Sequence, residues 1–188
     1  MATPPDFTTG QVLTAAQMNA VGLWLIDEVA LTTVTNNISN VFSSDFNAYK
    51  IVVSNLNNAT TSTRLVSLRF RNASGNDSDA NYFFGYNLHY GGTSATSAAS
   101  GQTSSELAYI GDSANDCGAI TMDIMNPFLS TVATVYWYTA ITWQPNVSAF
   151  VIRNGGGGIA ETTSYTGFSI IGTTDNLSGT VRVYGYRN

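Results

Sequence analysis

The chain is poor in the residues that most often carry chemistry. It has one cysteine, Cys117, so no disulfide can form within the chain and a thiolate metal cluster is excluded. It has one histidine, His89, which leaves a zinc site to be built almost wholly from carboxylates. Only 10% of its residues are charged, against roughly a quarter in ordinary globular domains. The 7 Lys and Arg form no cluster, and the net charge of -5 excludes nucleic acid and disfavours an anionic membrane surface. No apolar run approaches the roughly 18 residues of a membrane-spanning helix, so no membrane insertion is expected. The opening MATPPDFTTG has neither a basic region nor an apolar one, and does not read as a secretory signal.

What the chain has instead is Ser, Thr and Asn, about a third of its 188 residues, together with 22 aromatics. The clearest segment is TVATVYWYTAITW, residues 131–143, without charge, Gly or Pro. Val135, Trp137, Thr139, Ile141 and Trp143 share one face, and Tyr136, Tyr138, Ala140 and Thr142 the other. Both faces suit cover, which predicts an inner strand with a bend near Thr139–Ala140 and roofs on both sides. Strand-like alternation recurs at 28–35, 38–42, 49–54, 64–71, 81–90, 106–110, 119–125, 147–153, 167–172 and 180–186. Residues 91–105 lack periodicity and read as a long mobile loop. The four glycines 155–158 read as a pliable loop, or as a point where a neighbouring subunit comes close. They are not a phosphate loop, because no Lys-Ser/Thr pair follows them. One helix is expected, from about Ala15 to Asp27, opened by the capping box Thr14-Ala15-Ala16-Gln17 and striped by Met18, Val21 and Leu25. The fold class is therefore all-β, a jelly-roll-like β-sandwich of two four-stranded sheets with a short N-terminal arm and helix. Residues 1–27 form the anchoring and oligomerising segment and 28–188 the β-sandwich domain.

Candidate sites are weighed against plainer readings. His89 stands in an aromatic strand, and no G-x-S-x-G elbow is present to pair with it. Glu106, Asp123 and Glu161 are the carboxylates a glycosidase would use, but solvation explains each of them as well. The oxygen-rich stretches Asp112/Asn115/Asp116 and Asn76/Asp77/Asp79 could suit calcium, although Asx-turns account for both without an ion. No cofactor is called for and no catalytic residue is named. The aromatics are the best functional material, since sugar rings stack on flat aromatic faces while amides and hydroxyls orient them. Tyr90 and Tyr109, near loops, are the better ligand candidates. Trp137 is the third, with core packing as its plainer reading.

Three stretches resemble one class of proteins. Residues 6–19 (DFTTGQVLTAAQMN) resemble the opening of many tailed-bacteriophage fibre and minor structural proteins. Residues 38–44 (ISNVFSS) with 47–51 (NAYKI) are similar to a strand pair of that class, and 177–187 (LSGTVRVYGYR) to its C-terminal strand. The resemblance covers the ends and first strands, about a fifth of the chain, and transfers no binding residues. It implies a non-enzymatic virion protein, assembled in the host cytoplasm and then extracellular. Such a protein would be a homo-oligomer, by preference a trimer, joined to other virion proteins through residues 1–27. A short tail fibre or tail-associated receptor-binding protein that meets a host cell-surface glycan fits best. A capsid decoration protein and a tail-associated glycan hydrolase are the alternatives.

Overall fold

A computed structural model describes residues 22–111 and 118–186. They form thirteen strands: β1 (Leu23–Leu31), β2 (Thr35–Ile38), β3 (Ala48–Asn58), β4 (Arg64–Asn72), β5 (Gly75–Asn76), β6 (Tyr82–Tyr90), β7 (Thr93–Gln102), β8 (Ser105–Ile110), β9 (Gly118–Met125), β10 (Val135–Gln144), β11 (Ala149–Ile159), β12 (Gly167–Gly172) and β13 (Leu177–Tyr186). The large sheet runs β1-β13-β3-β9-β10-β11-β6-β7, and the small one β2-β12-β4 with β5 and β8 both pairing β4. Consecutive strands β1 to β4 alternate between the two sheets, as do β8 with β9 and β12 with β13. The late strands are inserted between early ones, β13 between β1 and β3, and β12 between β2 and β4. The sandwich is present with a frame of β1-β13-β3-β9 in the large sheet and β2-β12-β4 in the small one, but the sheets have eight and five strands in place of the expected four each, and β8 lies under β10. Four further strands, β10-β11-β6-β7, extend the large sheet beyond that frame.

The core follows from strand alternation. Tyr49, Ile51 and Val53 of β3, Ile120, Met122 and Ile124 of β9, and Val181 and Val183 of β13 point inward from the large sheet. Leu68 and Phe70 of β4 and Phe168 and Ile170 of β12 meet them from the small one. All are buried, so each removes most of its apolar area from water, worth roughly 1.5–3 kcal/mol for a side chain of this size.

Several sequence expectations are corrected. Of the helix expected over 15–27, residues 15–21 lie outside the described residues, while 23–27 open strand β1. There Leu23, Trp24 and Leu25 pair with Tyr186, Gly185 and Tyr184 of β13, and the ladder outweighs a helical stripe that only a partner surface would stabilise. The supposed loop 91–105 contains β7, which pairs with β6 from Tyr90↔Thr93 to Tyr82↔Gln102 through a tight turn with Gly91 and Gly92 at φ 50° and 82°. Its Ser, Ala and Thr residues carry no apolar pattern because almost all of them face solvent at the sheet edge. The glycines 155–158 are not a loop but the second half of β11. A Cβ on Gly157 would stand 2.2 Å from the Phe83 carbonyl oxygen, and one on Gly155 2.7 Å from that of Gly85. Glycine there lets β6 and β11 lie flush.

The segment 131–143 is an inner strand as expected, between β9 and β11, but it begins at Val135. Its pairing runs unbroken through Thr139 and Ala140, with no register shift. Only one face is roofed. Tyr136, Tyr138, Ala140 and Thr142 are buried, whereas Trp137 is 51% exposed and Ile141 44%. The small sheet covers one side of the large sheet, and among the described residues nothing lies over the other face of β10.

Candidate functional site

The structure gathers two of the three candidate residues into one cleft and leaves the third elsewhere. Tyr90, at the end of β6, and Tyr109, in β8, line a cleft of about 320 Å³ with Tyr86, Arg153, Gln144 and Asn146. It lies at the end of the large sheet opposite Leu23, on the inner side, where the extension overhangs β8. Trp137 stands on the outer face of β10, with Gly156 on one side and Asp123 on the other. Trp137 is not packed in the core, its plainer reading, because among the described residues no second sheet lies above the outward positions of β10.

Arg153 lies at the centre of the cleft. It points inward from β11, between Ala140 of β10 and Leu88 of β6, and is 2% exposed. Its guanidinium carbon lies 3.9 Å from the centroid of the Tyr86 ring and 5.0 Å from that of Tyr109. Two electron-rich faces so close favour the cation, by up to about 2 kcal/mol where water is excluded. Glu106 is its carboxylate, with Nη1 to Oε2 at 4.0 Å, too long for a hydrogen bond. Glu106 Oε2 instead accepts from the Tyr86 hydroxyl at 3.2 Å. Arg153 Nε and Nη1 have no hydrogen-bond partner among the described residues. A buried charged donor left in that condition costs on the order of 1–3 kcal/mol or more.

A β-bulge assembles these groups. In a regular strand Glu106 and Tyr109, three residues apart, would face opposite ways. The β4–β8 register shifts between Val66 and Ser67, so Val66 pairs with Ala108 and Ser67 with Glu106. Leu107 is the extra residue, and Leu107 and Ala108 are both buried. Glu106 and Tyr109 thereby turn toward the same arginine. The strand is held in place by two bonds from β10. Tyr138 donates its hydroxyl to the Glu106 carbonyl at 3.1 Å, and Thr142 donates to that of Tyr109 at 2.7 Å. At the rim, the Thr63 hydroxyl donates to Asn146 Oδ1 at 2.9 Å. Burial, and then the negative charge of Glu106, raise the Tyr109 phenol above its ordinary value, so it stays a neutral hydroxyl that can donate to a ligand.

The remaining candidates are dispersed. Asp123 is held by Lys50 Nζ at 3.0 Å and by the Tyr186 hydroxyl. Glu161 accepts from Asn81 at 3.0 Å and lies 2.5 Å from the Tyr165 hydroxyl, which also reaches Asp77 at 2.8 Å. Burial, reinforced by these two carboxylates, pushes the Tyr165 phenol far above its ordinary range. Glu106, Asp123 and Glu161 thus belong to three separate networks. Asp77 Oδ1 accepts from the backbone of Asp79, and Asn76 Oδ1 from Arg71 and Ser169, so these oxygens serve the turn itself. The stretch Asp112/Asn115/Asp116 lies outside the described residues. His89 is exposed on β6, with Nδ1 2.8 Å from Ser94 Oγ on β7.

Arg153 and the pairing role of Glu106 were not legible as a site, and Tyr86 was legible only as one of the aromatics of the segment Tyr82 to Tyr90. Arg153 ends an alternating segment whose two faces are both apolar, so the pattern does not say which way it points. The one available signal was a lone cation among Val, Phe and Ile in a strand beside aromatic-rich β6. Compared with protein-family models, with curated proteins and with solved structures, the chain matches none.

Proposed function

We propose that this protein is a bacteriophage virion component that attaches to the host by binding a cell-surface glycan, as a short tail fibre or tail-associated receptor-binding protein without catalysis. The sequence resemblance at both ends of the chain supports the virion assignment. The cleft supports the binding role, and one observation carries it: Arg153, buried between Tyr86 and Tyr109 with donors unused by the described residues, on the wall of a cleft rimmed by hydroxyls and amides. Tyrosine faces suit the apolar faces of a sugar ring, and Asn146, Gln144 and Thr63 suit its hydroxyls. In this reading residues 1–22 join the protein to other virion proteins, and three copies associate. Binding to a glycan array and to intact host cells tests it. Tyr109→Ala and Tyr90→Ala should abolish or sharply weaken binding with the fold retained, and silence of the wild-type protein against both would defeat the reading.

The capsid decoration alternative draws on a different observation. The outer face of β10 and β11 exposes Val135, Trp137, Ile141, Phe150 and Ile152 with no charge among them, a patch of the kind that assembly covers. Because β1 starts at Leu23, the informative truncation removes residues 1–22 and spares the sheet. Loss of particle incorporation by that truncation, with glycan binding absent throughout, would favour decoration. The hydrolase alternative is not favoured by its candidates, since Glu106, Asp123 and Glu161 sit in separate networks and no two of them face each other.

A further inference from the structure

Resting on the glycan-binding reading, we propose that the sugar taken by this cleft is acidic: a unit bearing an anionic group that pairs with Arg153 while its ring lies on the tyrosines. Among the described residues Arg153 is the only charged one lining the cleft. The chain as a whole carries a net charge of -5, so a lone buried cation at this point runs against the general field. The protein holds the guanidinium by its faces, over Tyr86 and Tyr109, and leaves Nε and Nη1 without acceptors among the described residues. A guanidinium stacked on rings keeps its unpartnered in-plane donors for an acceptor in its own plane, and arginine makes its strongest such bonds to carboxylate and phosphate. A neutral hydroxyl would answer those donors with bonds roughly half as strong.

Glu106 fits the same account. It stands 4.0 Å from Nη1, close enough to lower the cost of burying the cation and too far to occupy its donors. Its Oε2 is already bonded to the Tyr86 hydroxyl, which keeps it from swinging onto the guanidinium. The bulge at Leu107 sets this arrangement, because without it Glu106 and Tyr109 would not face one arginine. The cleft, about 320 Å³, is at the small end for ligand sites and suits one or two sugar rings, not a long polymer segment.

The test uses the full-length protein on an array that pairs neutral oligosaccharides with uronic-acid and phosphorylated counterparts of the same backbone. Acidic members should bind at least about tenfold more tightly than their neutral twins, and the preference should fall with added salt. Comparing uronic-acid with phosphorylated members identifies which anion is meant. Arg153→Gln should erase the preference. Because that residue is buried and its variant could fold poorly, Glu106→Gln provides the second reading. Removing the neighbouring negative charge should strengthen acidic binding several-fold relative to the binding of the neutral twins. Equal affinity for neutral and acidic members, with Glu106→Gln without effect, overturns the proposal and leaves glycan binding standing. Failure to bind any member of the array or any host cell overturns the glycan reading itself.

Discussion

The frame strands and the extension strands use much the same residues and spend them differently. In the frame, β3, β9 and β13 bury Ile, Val, Met and Tyr on the inner face, and the outer face carries the ion pairs Lys50–Asp123 and Arg182–Glu28. In the extension the inner face carries Tyr86, Tyr138 and Arg153 beside the glycines of β11, and the outer face carries exposed Trp137, Ile141, Phe150 and Ile152. The difference comes from where the small sheet stops. Opposite the frame its buried Leu68, Phe70, Phe168 and Ile170 supply an apolar layer. Over the extension Phe70 of β4 still packs on Tyr82 and Tyr136, but beside it the bulged strand β8 brings a carboxylate and a phenol. Cover makes a core, and partial cover leaves room for a site.

Substitutions can break this contrast. The largest effect is expected from Gly157→Ala in β11, where the new methyl would meet the Phe83 carbonyl oxygen at 2.2 Å and the Tyr136 hydroxyl at 2.8 Å. The β6 backbone at Phe83 and Phe84 cannot yield cheaply, so urea unfolding should show a loss above about 3 kcal/mol. Gly85→Ala, whose methyl would meet Ala98 Cβ at 3.6 Å, is the control and should cost far less. Next comes Ile51→Val at the centre of the frame, which removes one methylene from a fully buried side chain and should cost about 1 kcal/mol by the same measurement.

Smaller still is a pH effect at the frame's surface. Arg64 bonds to the Asp175 carboxylate and holds its pKa below the ordinary value, helped by the hydroxyls of Thr174 and Thr60. A carboxyl lowered in the folded state stabilises the protein above the unfolded value of about 4, and that contribution is lost as pH falls through the folded value. Asp175→Asn should therefore melt below wild type at neutral pH and converge with it in acid. Melting curves from pH 2 to 7 check this, and a constant gap would assign the loss to something other than charge. The smallest effect is expected for Trp137→Ala on the outer face, within about 0.5 kcal/mol in unfolding, since half of the side chain is already in water. A larger loss in the free protein would mean that this face is packed in solution, as it would be if copies of the chain covered it.

How much of this was legible varies with the kind of pattern. Strands β4, β6, β9 and β12 were readable nearly to their ends because each alternates and is bounded by turn residues. Strand β7 was not, because an edge strand of Ser, Thr and Ala has no buried face to mark it. The glycines of β11 were misread because glycine is also the commonest mark of a loop, and only the carbonyl of β6 pressed against them gives the other reason. Tyr90 and Tyr109 could be named one by one from aromatic character and position near loops, but their meeting depends on a bulge that no local pattern announces.

By itself the sequence determined the all-β class, the two-layer sandwich and the inward set of most strands, because alternation of apolar and polar residues is a local property with a period of two. Tertiary structure alone decided that β10 is roofed on one side, that 155–158 is sheet, and that Arg153 meets Tyr86, Tyr109 and Glu106. Those facts depend on which strands become neighbours across long separations in the chain, and on where the second sheet ends. Neither is encoded in the periodicity of any one segment.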